Sequence, residues 1–163
     1  TNMDYILAKK AMIRLAGTTI KFRISEAEIG KEEFWTEIAN NGALNAIHQV
    51  KTNGPIFGGN IVAVWKENNV DPEQVLYFIG TEYNVLNSIY ALELKTIPEQ
   101  KWAIFRCAGA IPEAMKIAKQ RIFNDILPAS DLQLSDRFHI EVYTDENKSD
   151  EDYRFEIWVP IKE

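Results

Sequence analysis

The chain has 163 residues, a length typical of one domain. Its 46% of hydrophobic residues argues against disorder, and its net charge of −6 argues against a protein that binds duplex nucleic acid, because phosphate contacts need a basic surface. The single cysteine, Cys107, excludes an internal disulfide, and no apolar run is long enough to span a membrane. We therefore expect a globular cytoplasmic protein.

The first half of the chain reads as an extended segment, a helix and two strands. Residues 5–23 are largely strand-like, and a helix is predicted over residues 31–40. Asn40-Asn41-Gly42 interrupts this helix, and a second short helical turn follows through Leu44 and Ile47. After turn signals at 53–55 and 58–59, two strands are predicted, residues 61–65 and 75–81.

The second half repeats this order. Strands are predicted over residues 90–94 and 102–106, and Pro112 falls in the first turn of a helix that ends at Leu127-Pro128. Apolar residues recur along this helix at helical spacing and indicate a core-facing stripe: Ile111, Met115, Ala118, Ile122 and Ile126. Two strands, residues 138–143 and 153–159, close the chain.

The two closing hairpins match at a single offset. Residues 64–65 match residues 142–143, and residues 77–79 match residues 155–157, each 78 positions later. This favours a duplicated βαββ unit, with repeat one at about residues 3–84 and repeat two at about residues 88–161. The predicted fold is a single α+β domain with antiparallel sheets, pseudo-two-fold symmetry and a cleft between the repeats.

Alternation along the last hairpin sorts its side chains into two faces. Two apolar sets are expected to pack under the helices: Phe138, Ile140 and Val142, and Phe155, Ile157 and Val159. The remaining face then presents aromatic rings around two carboxylates: Glu141, Tyr143, Glu156 and Trp158, with Trp65 and Phe78 from the first hairpin. Such a helix-free surface suits a flat lipophilic cation, since ring faces and a desolvated carboxylate both attract positive charge. The equal alternative is that these side chains satisfy one another or pack against a partner subunit.

Four segments carry a resemblance to a known family: residues 102–109, 123–130, 138–143 and 155–161. Their order is similar to that of the GyrI-like effector-binding domains, the sensing half of several AraC- and MerR-type multidrug transcription regulators. The resemblance covers essentially the whole chain and is most specific over residues 102–161. It implies an SHS2-like repeat with a ligand cleft, in which a lipophilic cationic compound binds Glu141 between Tyr143 and Trp158. The pocket residues that it implies in the first half are Trp65, Phe57, Ile56, Trp35 and Phe34.

The chain differs from those regulators because no DNA-binding helix-turn-helix precedes Tyr5. A natural start near Met3 favours a stand-alone effector-binding protein over a domain cut from a larger regulator, and no nucleic-acid or membrane contact is expected. Two other functions stay open: a small hydrolase of strained or electrophilic toxins in the same cleft, with a carboxylate as general acid or base, and a protein-interaction module like the gyrase-inhibitory relatives. A homodimer or a separate protein partner also stays open.

The remaining polar residues give no sign of a cofactor or a metal. His48, His139 and Cys107 lack metal-ligand spacing, and the chain has no phosphate-binding loop or nucleophile elbow. No catalytic residue is therefore assigned, although His139 lies on the face of Glu141. Residues 145–152 hold five acids and one base, which supplies −4 of the net charge, and are expected to form a solvated hairpin tip.

Overall fold

The computed structural model describes residues 3–52, 54–84 and 92–163. Eleven strands and helices follow one another in these residues: β1 (Tyr5–Lys10), β2 (Ile13–Arg23), α1 (Ala27–Asn40), α2 (Ala43–Val50), β3 (Ile61–Glu67), β4 (Gln74–Glu82), β5 (Glu93–Ile97), β6 (Gln100–Ala108), α3 (Glu113–Arg121), β7 (Phe138–Tyr143) and β8 (Arg154–Ile161). A 3-10 turn, Ile24–Glu26, leads into α1, and one π-helical turn, Ile122–Ile126, extends α3. No helix within these described ranges is both long and apolar enough to cross a membrane.

The eight strands form one antiparallel sheet in the order β1-β6-β8-β7-β3-β4-β2-β5. The units β2-α1-α2-β3-β4 and β6-α3-β7-β8 flank its centre in mirror order, and β3 pairs with β7 between them. Val64 pairs with Phe78 in the first hairpin, and Val142 pairs with Glu156 in the second, 78 positions later in each case. The predicted duplicated βαββ fold with pseudo-two-fold symmetry is therefore confirmed.

The predicted elements are recovered with small shifts at their ends. Gly42 separates α1 from α2 as predicted, with a backbone φ of 88° that glycine adopts without strain. The Asn41 side chain accepts a hydrogen bond from the Ala43 backbone N–H at 2.9 Å, which closes the turn that leads into α2. Helix α1 begins at Ala27, four residues before the predicted start. The predicted strand over residues 90–94 lies partly outside the described residues, and β5 begins at Glu93.

Both faces of the sheet are buried, and each has its own core. We call the face under the helices the helix-side face; its strand residues Tyr77, Tyr143, Phe155, Ile157 and Val159 pack in one core with helix residues Phe34, Ile38, Ile47, Met115, Ala118 and Ile122. The other side is the opposite face, and its core contains Phe57, Val62, Val64, Phe78, Trp102, Ile104, Ile140, Val142 and Trp158. Side chains on both sides of the central strands are therefore apolar, which is unusual for an antiparallel sheet.

Two glycines allow a close approach of β2 and β4. Gly17 pairs with Gly80 across these strands. A Cβ atom on Gly17 would lie 2.0 Å from the carbonyl oxygen of Ile79, and one on Gly80 would lie 2.5 Å from the carbonyl oxygen of Ala16. The local geometry of the two strands therefore requires glycine, which has no Cβ atom, at both positions.

Candidate ligand site at a buried glutamate

Glu141 lies on the helix-side face, so the predicted helix-free surface around it is wrong. In the sheet, Glu141 pairs with Ile157 on β8 and with Ala63 on β3, both of which belong to the helix-side core. Trp158 pairs with Ile140 instead and packs in the core of the opposite face.

The error has a physical reason. The expectation that Phe155, Ile157 and Val159 pack under the helices is confirmed, but the second apolar set lies on the opposite face: Phe138, Ile140 and Val142. Each strand has two alternating sets of side chains. Because both faces of the sheet are apolar, hydrophobicity does not show which set on β7 shares a face with a given set on β8. The antiparallel register decides this, and the register cannot be read from alternation within a single strand.

Four donors surround the completely buried carboxylate of Glu141. Its Oε1 accepts hydrogen bonds from the hydroxyls of Tyr77 at 2.6 Å and Tyr143 at 2.5 Å. Its Oε2 accepts from the ammonium of Lys31 at 2.8 Å and from that of Lys119. The lone pairs of the carboxylate are therefore filled, and the negative charge faces two positive charges.

The two lysines come from the buried faces of the two longer helices. Lys31 precedes the core residues Phe34 and Ile38 by three and seven positions, which puts it on the buried side of α1. Lys119 follows Met115 by four positions on α3. One helix of each repeat therefore contributes a lysine whose ammonium donates to the carboxylate beside the pseudo-two-fold axis.

Burial and charge shift the proton affinities of this cluster in a consistent way. Burial raises the pKa of Glu141, but Lys119 and Lys31 outweigh it and hold the pKa well below 4.5, so the carboxylate is ionised at neutral pH. Burial lowers the pKa of Lys119 to about 7, against the opposing pull of Glu141. Burial and the charge of Glu141 raise the pKa of Tyr77 and of Tyr143 well above 10, so both remain hydroxyl donors.

Aromatic rings enclose the carboxylate, and ammonium groups of the chain lie over them. The Nζ of Lys119 lies 4.5 Å from the ring centroid of Trp65, and that of Lys31 lies 5.3 Å from Tyr77. Lys148, from the hairpin tip between β7 and β8, has its Nζ 4.6 Å from Trp35 and 5.1 Å from Tyr143. The rings of Trp35 and Tyr143 are 5.0 Å apart, and the Trp35 indole N–H donates to the Tyr77 hydroxyl at 3.2 Å. We call these four rings and Glu141 the aromatic–carboxylate site.

The predicted site residues divide between the two faces. Tyr143, Trp65 and Trp35 surround Glu141, and Phe34 lies in the helix-side core one residue before Trp35. On the opposite face, the ring of Phe57 packs against Trp158 at 4.8 Å, and Ile56 borders the same core. The backbone N–H of Phe57 donates to Glu82 at 2.6 Å, which fixes this loop on that face.

Sequence reasoning missed four residues of the site: Lys31, Tyr77, Lys119 and Lys148. A signal for two of them was present, because Lys31 and Lys119 stand at core-facing positions of amphipathic helices. His139 does belong to the neighbourhood, since its ring stacks on Trp65 at 5.8 Å. Burial and the nearby Lys119 charge lower the pKa of His139 well below 6.5, so the ring is neutral at pH 7.

The duplicated βαββ sheet with its paired helices is the fold of a GyrI-like effector-binding domain. The model of the integron-associated effector binding protein family matches residues 9–161, and the chain belongs to that family.

Several solved structures have the same fold. SAV2435, solved bound to tetraphenylphosphonium, is 23% identical at a TM-score of 0.85, over 98% of this chain and 94% of that one. A putative transcription regulation protein from Staphylococcus aureus is 21% identical at a TM-score of 0.82, over 99% of this chain and 100% of that one. An integron cassette protein from Vibrio cholerae is 10% identical at a TM-score of 0.70, over 97% and 95%. A comparison with curated protein sequences gives no match.

Proposed function

We propose that this effector-binding domain binds lipophilic organic cations at the aromatic–carboxylate site. One observation carries the proposal: ammonium groups of the chain itself lie over all four rings around Glu141, at 4.5 to 5.3 Å. Rings that hold ammonium groups at this distance attract an organic cation by the same quadrupole, at about 0.5–2 kcal/mol per contact. The tetraphenylphosphonium bound to SAV2435 is a ligand of this chemical class and supports the choice.

The carboxylate supplies the countercharge. A lipophilic cation loses little hydration when it enters an apolar site, and Glu141 gives it an ionised partner in a completely buried position. Apolar contact with Trp65 and Trp35 adds to this attraction. A few such contacts are sufficient for micromolar affinity, which corresponds to about 8 kcal/mol.

The same geometry argues against Glu141 as the general acid or base of a hydrolase. A general acid needs a proton at neutral pH, yet the lysines keep the pKa of Glu141 well below 4.5. A general base needs a free lone pair, yet Tyr77, Tyr143, Lys31 and Lys119 occupy the carboxylate. We therefore infer a sensing or sequestering role for the site.

Titration with tetraphenylphosphonium chloride, followed by tryptophan fluorescence, tests the proposal. Trp65 and Trp35 lie at the site, whereas Trp102 and Trp158 lie on the opposite face and serve as matched controls. We expect W65F and W35F each to lose part of the ligand-induced signal, and W102F and W158F to keep it. Loss of binding in W158F, with binding kept in W65F, would move the site to the opposite face.

A second arm tests the carboxylate. E141Q should weaken binding at least tenfold, whereas E156Q, which removes a carboxylate from the opposite face of the neighbouring strand, should bind as the wild type does. Because E141Q leaves two buried ammonium groups without a counter-ion, its fold is checked by circular dichroism. The E141Q/K119M double variant removes one of those charges and repeats the test in a less strained background. Wild-type affinity in a folded E141Q variant would overturn the role of the carboxylate.

A further inference from the structure

The aromatic–carboxylate site is already occupied by groups of the chain. Glu141 is completely buried and accepts four hydrogen bonds, two of them from lysine ammonium groups that donate to the same oxygen. A further cation has no free lone pair to approach. Its contact with the carboxylate therefore requires one of the four donors to leave.

The four donors differ in how easily they can leave. Tyr77 and Tyr143 are short, rigid side chains with at most 4% of their surface exposed, so their hydroxyls cannot reach water without unpacking the core. Lys119 and Lys31 have side chains that are 17% and 20% exposed. Their long flexible stems can carry the ammonium to the surface while the methylene groups stay packed. The donor that leaves is thus a lysine.

Of the two lysine ammonium groups, that of Lys119 has the closer contact with an aromatic ring. Its ammonium contacts Oε2 of Glu141 and also lies 4.5 Å from the Trp65 ring, closer than Lys31 lies to Tyr77. An ion pair and a ring face are the two contacts that an organic cation would use here. We infer that Lys119 holds the place of the ligand charge, and that a cation binds Glu141 by exchange with this ammonium, which moves into water. This inference rests on the proposed function.

The charge balance of the site supports the exchange. With both lysines protonated, the cluster of Glu141, Lys31 and Lys119 carries one net positive charge, and an added cation would raise it to two. Exchange keeps the charge constant. Burial already lowers the pKa of Lys119 to about 7, which means that its ammonium is less stable here than in water.

Exchange and simple addition give proton linkage of opposite sign. If Lys119 moves into water, its pKa returns towards 10.5, so the complex takes up protons above pH 7 and affinity falls as pH rises, by up to about tenfold per pH unit. If Lys119 stays beside the ligand, the added charge lowers its pKa further, protons are released below pH 7, and affinity rises with pH.

The other titratable groups of the site are accounted for. Glu141 and His139 on β7 have pKa values well below this range, and Tyr77 and Tyr143 have pKa values well above it. Lys31 on α1 and Lys148 on the hairpin tip are the remaining charges, and burial lowers the pKa of Lys148. K31M would itself change the pKa of Lys119, because the two ammonium groups share Oε2, so the control is K21M, at an exposed lysine of β2.

Calorimetric titration with tetraphenylphosphonium at pH 8.5, in two buffers of different ionisation enthalpy, counts the protons. The phosphonium charge is permanent, so the ligand itself does not titrate. We expect net uptake approaching one proton, lost in K119M and kept in K21M. Proton release, or uptake that persists in K119M, would overturn the exchange.

Chemical labelling tests the movement directly. Acetylation at a series of pH values, followed by peptide mass spectrometry, should show the pKa of Lys119 rise from about 7 in the free protein towards 10.5 in the saturated complex. Lys21, which is exposed on β2, should be unchanged. A Lys119 pKa that stays near 7 or falls in the complex would overturn the exchange while leaving the proposed function intact. If wild-type protein binds no tetraphenylphosphonium at all, the proposed function itself fails.

Discussion

Lys31 on α1 and Lys119 on α3 donate to the same oxygen atom, Oε2 of Glu141. Each repeat thus contributes one helix, and the two helices meet at one buried negative charge on β7. A second link between the helices, the Lys116–Glu28 salt bridge at 2.6 Å, is largely exposed and contributes little. Glu141 is therefore the main polar link between the two helices, in addition to their apolar packing on the sheet.

Replacement of Glu141 by glutamine should destabilise the fold strongly. E141Q leaves the ammonium groups of Lys31 and Lys119 buried without a counter-ion, and removal of one partner from a buried ion pair costs about 3–5 kcal/mol. We expect a corresponding drop in the free energy of unfolding in urea at pH 7. The E141Q/K119M double variant should recover part of the loss, because one unpaired charge is removed.

The pH dependence of this loss has a definite sign. Because the folded pKa of Glu141 is lowered, its stabilisation is present above about pH 4.5 and is lost as the pH falls towards the folded value. The stability difference between wild type and E141Q should therefore shrink in acid. E156Q, on the opposite face, keeps an oxygen that can accept the hydrogen bond from the Trp158 indole N–H at 2.9 Å, and should show no loss of this size at pH 7. A constant difference between pH 7 and pH 3 would contradict the proposed charge on Glu141.

The hydroxyls of Tyr77 and Tyr143 should each contribute measurably to stability. Both donate to the ionised carboxylate, and a hydrogen bond to a charged group is worth about 1.5–3 kcal/mol. Y77F and Y143F should lose about this amount in urea unfolding at pH 7. Y153F is the matched control, since its hydroxyl donates to the neutral carbonyl of Thr144 at 2.9 Å and should lose about 1 kcal/mol. Equal losses in all three variants would contradict the prediction.

The raised pKa values of Tyr77 and Tyr143 also predict how the stability of the fold changes in alkali. Their folded pKa values are raised, so their stabilisation is complete below pH 10 and is lost as the pH rises through the folded values. Absorbance at 295 nm should show part of the tyrosine signal appearing only as the protein unfolds in alkali. In Y77F/Y143F that delayed part should be absent.

The fold could be predicted from the sequence because its signals are local or repeated. The shared offset of 78 positions located both hairpins, and Asn41-Gly42 located the break between α1 and α2. The face of Glu141 could not be predicted in the same way. Val142 and Ile157 are both apolar, yet they lie on different faces, and only the pairing of Glu141 with Ile157 distinguishes them.

The identity of Glu141 as the central residue was a sequence prediction, but its partners were not. Alternation named residues on strands, and the resemblance added only apolar residues of α1 and of the loop before β3. Lys31 and Lys119 instead reach the carboxylate from helices whose placement depends on the tertiary fold. A lysine at a core-facing helix position is a local conflict that needs a buried partner. A search for such conflicts in α1 and α3 would have pointed to both lysines.

Removal of the Lys148 side chain should strengthen the binding of tetraphenylphosphonium. Lys148 lies on the acidic hairpin tip, and its ammonium covers the faces of Trp35 and Tyr143, while its carbonyl accepts a hydrogen bond from Ile111 at 2.8 Å. K148A keeps this backbone bond and frees both rings, so we expect affinity to rise about fivefold, or about 1 kcal/mol, in fluorescence titration. K21A removes an exposed lysine that pairs with Leu76 on the opposite face, and should bind as the wild type does. Equal affinities of K148A and wild type would show that the ligand does not reach these rings.

Gly17 should tolerate alanine far less well than Gly42, although only Gly42 has a positive φ. Alanine at Gly17 would push its Cβ to 2.0 Å from the Ile79 carbonyl oxygen, and this contact is with backbone that cannot rotate away. Strands β2 and β4 would have to separate, so we expect G17A to lose about 3 kcal/mol or more of unfolding free energy. G42A meets no atom within 4 Å and bears only the left-handed backbone strain, about 1–2 kcal/mol. Urea unfolding of the two variants decides the order, and a larger loss in G42A would mean that β2 and β4 are less closely spaced than described.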